Sequence, residues 1–197
     1  MSIAFEKLTE ISVKKIEEKT IIYYPEVLEF CSRQYKNHPK GCPNIDKCHS
    51  EKKAPYFNEV IYKNNFTNFY LIYINFNFKK YKELRKKQNP EFFNSEARLK
   101  CLRYWQNSVK SILKKKIEEL IQQQNNLFIA GCGAPMRVKG YNEYVYSMEA
   151  MGINVFSTLK KNKIPFALKP KNKIVLCSLI CAKNELKFKK QKRLDEV

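Results

Sequence analysis

The first apolar positions of the chain come at short, mostly three- and five-residue steps. Ile3, Phe5, Leu8, Ile11 and Ile16 are separated by Glu6, Lys7, Glu10, Lys14, Lys15, Glu17 and Glu18, which predicts an amphipathic helix ending near Lys19 and Thr20. Ile21 to Tyr24 reads as a short strand closed by Pro25, and Glu26 to Phe30 as a helical turn running into Cys31. From there to Pro55 the periodicity disappears. His38-Pro39-Lys40-Gly41-Cys42-Pro43-Asn44 is turn-rich and too polar to make its own core, so the segment needs another fastening.

Tyr56 to Tyr62 and Phe66 to Phe78 are rich in aromatic and β-branched residues and read as two strands. Asn94 or Ser95 is placed to cap a long helix reaching about Gln124, because Ala97, Leu99, Leu102, Trp105, Val109, Leu113, Ile117 and Leu120 recur at helical spacing. Its other face carries Lys100, Arg103, Lys110 and Lys114 to Lys116. Leu127 to Ala130 reads as a buried strand entering Gly131-Cys132-Gly133, where two glycines give a thiol unusual backbone freedom. Ser147 to Lys161 predicts a further helix with Met148, Met151, Val155, Phe156 and Leu159 facing inward. Ile164 to Leu168 and Lys173 to Cys181 predict the last strands. The pattern gives an α/β or α+β single domain with a mixed sheet and flanking helices, spanning 1–182, followed by a basic tail over 183–197.

Composition narrows the class. With 44% hydrophobic and 13% aromatic residues, five Gly and eight Pro in 197 residues, the chain is neither disordered nor fibrous. No window approaches the roughly 18 apolar residues of a membrane span. The start of the chain has no basic stretch followed by an apolar one, so a cytoplasmic protein is expected. Thirty-eight Lys and Arg against 19 Asp and Glu leave a charge of +19, which favours polyanions, RNA among them, or an acidic protein partner.

Seven cysteines, an odd number, argue against a complete set of disulfides and leave thiols for metal. Cys31, Cys42 and Cys48 lie within 18 residues in the segment without periodicity, with Gly41 and Pro43 shaping the turn at the middle thiol. Three such thiolates suit a [4Fe-4S] cluster completed by a distant ligand, or a tetrahedral zinc completed by Cys or His. The spacing alone leaves both open. Cys101 reads as helix packing. Cys177 and Cys181, four residues apart on a strand and hence separated by roughly 13 Å, read as core. His38 and His49 flank the loop, and His49 reads as a supporting neighbour of the ligands.

The stretches Cys42-Pro43-Asn44-Ile45-Asp46-Lys47-Cys48 and Ser147-Met148-Glu149-Ala150-Met151-Gly152-Ile153-Asn154-Val155 resemble the two signatures of a family of prokaryotic metal-binding proteins of unknown function. Its members carry Cys-Pro-Asn-Tyr-Gly-Lys leading to Cys-Pro-Pro, and Ser-Met-Glu-Ala-x-Gly-Ile-Asp-Val. The resemblance covers roughly residues 31 to 181 and implies an iron–sulfur cluster. This chain has Asp46 in place of the motif's Gly, His49 after Cys48, and no paired cysteines in 133–141, so one cluster is implied, with Cys132 as candidate fourth ligand. Glu149 is then a candidate acid or hydrogen-bond partner of the thiol loop. Arg137, with Lys139, is a candidate anion-binding residue.

The expected function is therefore that of a protein carrying one [4Fe-4S] cluster, for electron transfer with a redox partner, or for sulfur-transfer or Lewis-acid chemistry at an open iron. The alternative is a zinc-stabilised adaptor whose basic helix face binds RNA or an acidic protein.

Overall fold

A computed structural model describes residues 3–34, 38–49, 54–123 and 126–188, with the backbone alone for His49. The fold is a mixed α/β domain around a four-stranded sheet. Its strands are β1 (Thr9–Ile16), β2 (Asn68–Asn77), β3 (Leu127–Ala130) and β4 (Lys173–Ala182), in the order β1-β2-β4-β3. The pairing is antiparallel throughout, with Val13 opposite Ile72, Tyr73 opposite Cys177 and Ala130 opposite Leu179.

The central strands β2 and β4 are buried on both sides over 69–72 and 177–182, where apolar residues run on, whereas from Ile72 to Asn77 β2 alternates buried Ile72, Ile74 and Phe76 with the less buried Tyr73, Asn75 and Asn77. Tyr70, Ile72, Ile74 and Phe76 enter one core, and Phe69 and Leu71 the other. The first core is roofed by α3 (Phe78–Gln88) and α5 (Gln106–Ile121), whose Val109, Leu113, Ile117 and Leu120 form the buried stripe. The second is covered by a mostly irregular layer that includes α1 (Ile45–His49), α2 (Phe57–Asn64) and α6 (Val155–Lys161).

Several elements depart from the pattern-based expectations. The first segment is a 3-10 turn, Phe5–Leu8, followed by β1 in place of a helix. Ile11 and Val13 alternate onto the first core, and the strand occupies the edge that β2 would otherwise leave open. Residues 57–64 are helical because Phe57 and Val60 bury on one side, and Asn65 ends the helix at φ 52°. Ile21 to Tyr24 supplies only a single bridge, Tyr23 to Ile153. The long helix is broken. Ser95 caps α4 (Glu96–Lys100), Cys101 is extended, and a 3-10 turn Leu102–Tyr104 precedes α5. The break lets Trp105 lie against Phe76, ring centroids 5.5 Å apart, while Leu102 is left half exposed.

The helix expected over 147–161 is interrupted at Gly152, φ +82°, giving a 3-10 turn Glu149–Met151 and then α6, which Asn154 caps through the Ser157 amide. Phe156 faces outward, and residues 164–168 form no strand. Beyond β4 the chain stays on the first core: Leu186 is buried, its amide donates to the Tyr70 hydroxyl at 3.0 Å, and Phe188 meets the Tyr70 ring edge-on. The remainder of the expected tail, from 189, lies outside the described residues. Among those residues no helix is long and apolar enough to cross a membrane.

Candidate thiol site

The thiol loop is built by main-chain contacts. Cys31 ends the 3-10 turn Pro25–Cys31, which the buried Val27 holds to the domain. The chain returns through a turn in which the Gly41 amide bonds the His38 carbonyl, and the Cys42 amide then donates to the Cys31 carbonyl at 2.6 Å. Gly41, at φ +81°, lies so close to Cys31 and Ser32 that a Cβ there would strike the Cys31 carbonyl oxygen. The Cys42 carbonyl accepts from Ile45, which starts α1; Cys48 rides on that helix and its carbonyl accepts from Ala54 at 2.8 Å. The Cys48 side chain is buried in the second core with Phe57 and Met148.

The facing wall comes from β3 and the 147–154 segment. Gly131 is bridged to Ser147: its amide donates to the Tyr146 carbonyl at 2.6 Å, and its carbonyl accepts from Met148 at 3.0 Å. A Cβ on Gly131 would meet Val145 Cγ1 at 2.8 Å, so only glycine allows this approach. Met148 is fully buried beneath the turn, and Ser147 Oγ accepts from the Ala150 amide at 3.1 Å. Two further bonds, Tyr24 amide to Gly152 carbonyl at 2.9 Å and Asn154 amide to Ile22 carbonyl at 2.8 Å, fasten this segment to the one that ends in Cys31.

Glu149 therefore faces the thiol loop. The residue as a whole is exposed, and its carboxyl end lies in electrostatic range of Ser147, Lys110 and the Cys31, Cys48 and Cys132 thiols. Burial holds its carboxyl above the ordinary range against the pull of its own amide, the Ser147 hydroxyl and the Lys110 ammonium. Burial likewise raises the Cys31 thiol, with Cys42 and Glu149 adding to it, and pushes Cys48 up to about 11, with Cys31, Cys42 and Glu149 contributing. The three loop thiols are electrostatic neighbours of one another, and Cys31 and Cys48 are neighbours of Glu149.

Cys132 is in electrostatic range of Glu149 and Lys110. Burial pushes its thiol up to about 11, Lys110 pulls it down and Glu149 pushes it up; the buried Cys177 on β4 is raised by burial, by Cys132 and by Glu149. Lys110 belongs to α5 but is turned inward, its Nζ packed against Gly133 so that a Cβ there would collide with it. Cys181 is buried in the second core. Arg137 stands apart: its guanidinium covers the Tyr144 ring at 3.9 Å and donates to the Asn142 carbonyl at 2.7 Å, lining a groove of about 410 Å³ with Tyr146 and Met151. The His49 side chain lies outside the described residues.

The site thus makes Cys31, Cys42 and Cys48 neighbours of one another, with Glu149 in electrostatic range of Cys31, Cys48, Cys132 and Lys110. The sequence pattern places Lys110 on the basic face of the long helix and Ser147 only at the start of a further helix, so neither is marked as a member of the site. Position 110 follows the buried Val109, so its stem runs along the edge of the apolar stripe and carries the ammonium to the turn. Among the described residues no group of three or more His, Cys, Asp or Glu is disposed so as to hold a metal ion: the thiols are neighbours and not a closed cage. No family model, curated protein or solved structure matches the chain.

Proposed function

We propose that the chain is a thiolate metal protein that carries one [4Fe-4S] cluster on Cys31, Cys42 and Cys48. The observation that carries this reading is the Cys42 amide to Cys31 carbonyl bond beneath Gly41, with Cys48 closing the same polar loop over the second core. Burial, with the neighbouring thiols adding to it, makes Cys31 and Cys48 resist ionisation. A cationic iron centre offsets that resistance, so the donor chemistry fits, and closing the cage requires the loop to draw its thiols inward. The resemblance of the Cys42–Cys48 and Ser147–Val155 stretches to an iron–sulfur family supports iron over zinc.

The surrounding residues define what this chain would do around such a centre. Glu149, oriented by the Ser147 hydroxyl, stands beside the thiols and can accept or hold a proton there. Cys132 and Glu149 are the candidates for a fourth ligand. Ligation by four thiolates favours electron exchange with a redox partner, whereas an open iron favours sulfur transfer or Lewis-acid chemistry. A reducing, cytoplasmic setting suits seven free thiols.

The zinc adaptor reading loses support at its binding face. Lys114 and Lys116 of α5 pair with Glu118 and Glu119 at 3.8 and 2.7 Å, and Lys110 is turned into the site. The deciding experiment is anaerobic purification with a visible spectrum and analysis of iron, sulfide and zinc. About four iron and four sulfide per chain, with a broad absorption near roughly 400 nm, is the expected result. A colourless protein with about one zinc overturns it.

A further inference from the structure

A second surface, separate from the thiol site, follows α6. From Ala150 to Lys173 the chain carries Lys160, Lys161, Lys163, Lys169, Lys171 and Lys173 and neither Asp nor Glu. All six are exposed, and among the described residues none is in a salt bridge. The same stretch exposes apolar groups: Phe156 is 54% exposed and Leu168 71%. Phe156 stacks on Phe166 with ring centroids 5.3 Å apart and planes 23° from parallel, and Phe166 is seated against the second core. One ring is thus propped from beneath, and its outer side is free.

The loop behind α6 is held in shape. Ile164 is buried, Pro165 and Pro170 fix their φ angles, the Ile164 amide bonds the Leu159 carbonyl at 2.9 Å, and the Asn172 carbonyl accepts from Lys79 at 3.0 Å. An exposed ring on α6, braced by a half-buried ring from an ordered loop and flanked by lysines that make no salt bridge among the described residues, is a preorganised recognition surface.

We propose that α6 and the loop over 162–172 bind single-stranded nucleic acid, a base stacking on Phe156 and the lysines contacting phosphates. Every base offers a π-face, and a ring flanked by point charges recognises a strand without reading its sequence. Lys160 lies one helical turn beyond Phe156, on the same side of α6. A lipid surface would require a broad apolar face, whereas α6 has seven residues and buries Thr158 and Leu159. The proposal rests on residues outside the thiol site and is independent of its metal.

The test uses the whole chain and a fluorescent oligouridine of about 15 nucleotides, followed by anisotropy at about 50 to 200 mM salt. Phe156→Ala is expected to weaken binding roughly tenfold, and Phe156→Tyr to retain it. Replacing Lys160, Lys161 and Lys163 by Gln should lower the slope of log affinity against log salt by about 2. The same change at Lys114, Lys115 and Lys116 removes equal charge from α5 and should cost much less affinity. Equal losses from the two triple variants, with Phe156→Ala silent, overturn the proposal in favour of diffuse charge attraction. So does absence of oligouridine binding, including the case in which phosphatidylserine vesicles bind in a Phe156-dependent way. Urea midpoints for each variant separate lost binding from lost folding.

Discussion

Tyr24 donates its amide to the Gly152 carbonyl at 2.9 Å, and that bond ties the turn ending in Cys31 to the turn that carries Glu149. The arrangement depends on Gly152. It is at φ +82°, and a Cβ there would stand 2.7 Å from Tyr23 Cε2. Gly152→Ala is therefore expected to destabilise the domain by roughly 1–2 kcal/mol, from the left-handed backbone and displacement of the ring. For a chain of this size that lowers the melting temperature by about 2–8 °C. Calorimetry checks it, and an unchanged melting temperature would sink the argument.

Gly41 is constrained more tightly but more locally. Its would-be Cβ meets a carbonyl oxygen of the main chain, which cannot swing aside as a side chain can. In Gly41→Ala the Cys42 to Cys31 bond should open while the sheet stays intact. Cys48, only 5% exposed, should then react with an alkylating reagent much faster than in the parent chain, at unchanged far-ultraviolet dichroism. Equal reaction rates for Cys48 in the two proteins would show that the loop does not depend on this contact.

The titration of the loop has a definite sign. Cys48 is held at about 11 against an ordinary value near 9.0, so the folded state keeps a proton that the unfolded chain releases. Its contribution is fully present below about pH 9 and is lost as pH rises toward 11, at most about 2–3 kcal/mol. Cys132 acts in the same direction. Urea unfolding of metal-free protein should show stability falling above about pH 9, less steeply in Cys48→Ala. For the same reason metal loading must release protons, and affinity should continue to rise with pH where a normal thiol would already have levelled off.

What the sequence discloses and what it hides divide along physical lines. β2 is legible from its aromatic and β-branched residues, with Ile72, Ile74 and Phe76 alternating against Tyr73, Asn75 and Asn77, β4 from its apolar run, and β3 because Leu127 to Ala130 ends at a glycine. The first strand and α2 are not. Ile3 to Ile16 and Phe57 to Tyr62 are short amphipathic stretches whose period is ambiguous, and tertiary contacts decide them. The helix that the periodicity predicts is broken just before Trp105, which stacks on Phe76, a tertiary contact that the local pattern does not show. At the thiol site the sequence marks the loop cysteines and Glu149 as separate motifs. Their meeting depends on Tyr24, Gly152, Ile22 and Asn154, main-chain contacts that leave no side-chain pattern. Lys110 was hidden because a lysine beside an apolar stripe looks like any other surface lysine.

Lys110 and Glu149 act on Cys132 with opposite sign, and this gives the sharpest test of the geometry. The ammonium lowers the thiol's affinity for its proton, and the carboxylate raises it, against a background set by burial. Lys110→Met keeps the stem along α5 while removing the charge, so Cys132 should become less acidic and be alkylated more slowly. Glu149→Gln removes the opposing charge and should speed the same reaction. Because intrinsic nucleophilicity falls as acidity rises, a tenfold change in thiolate fraction alters the rate by roughly threefold. The rate at residue 132 is read by mass spectrometry on reduced, metal-free protein at about pH 8, below the thiol's own titration. Opposite shifts in the two variants would place Cys132 between the two charges; shifts of the same sign would mean that its environment is governed by packing alone.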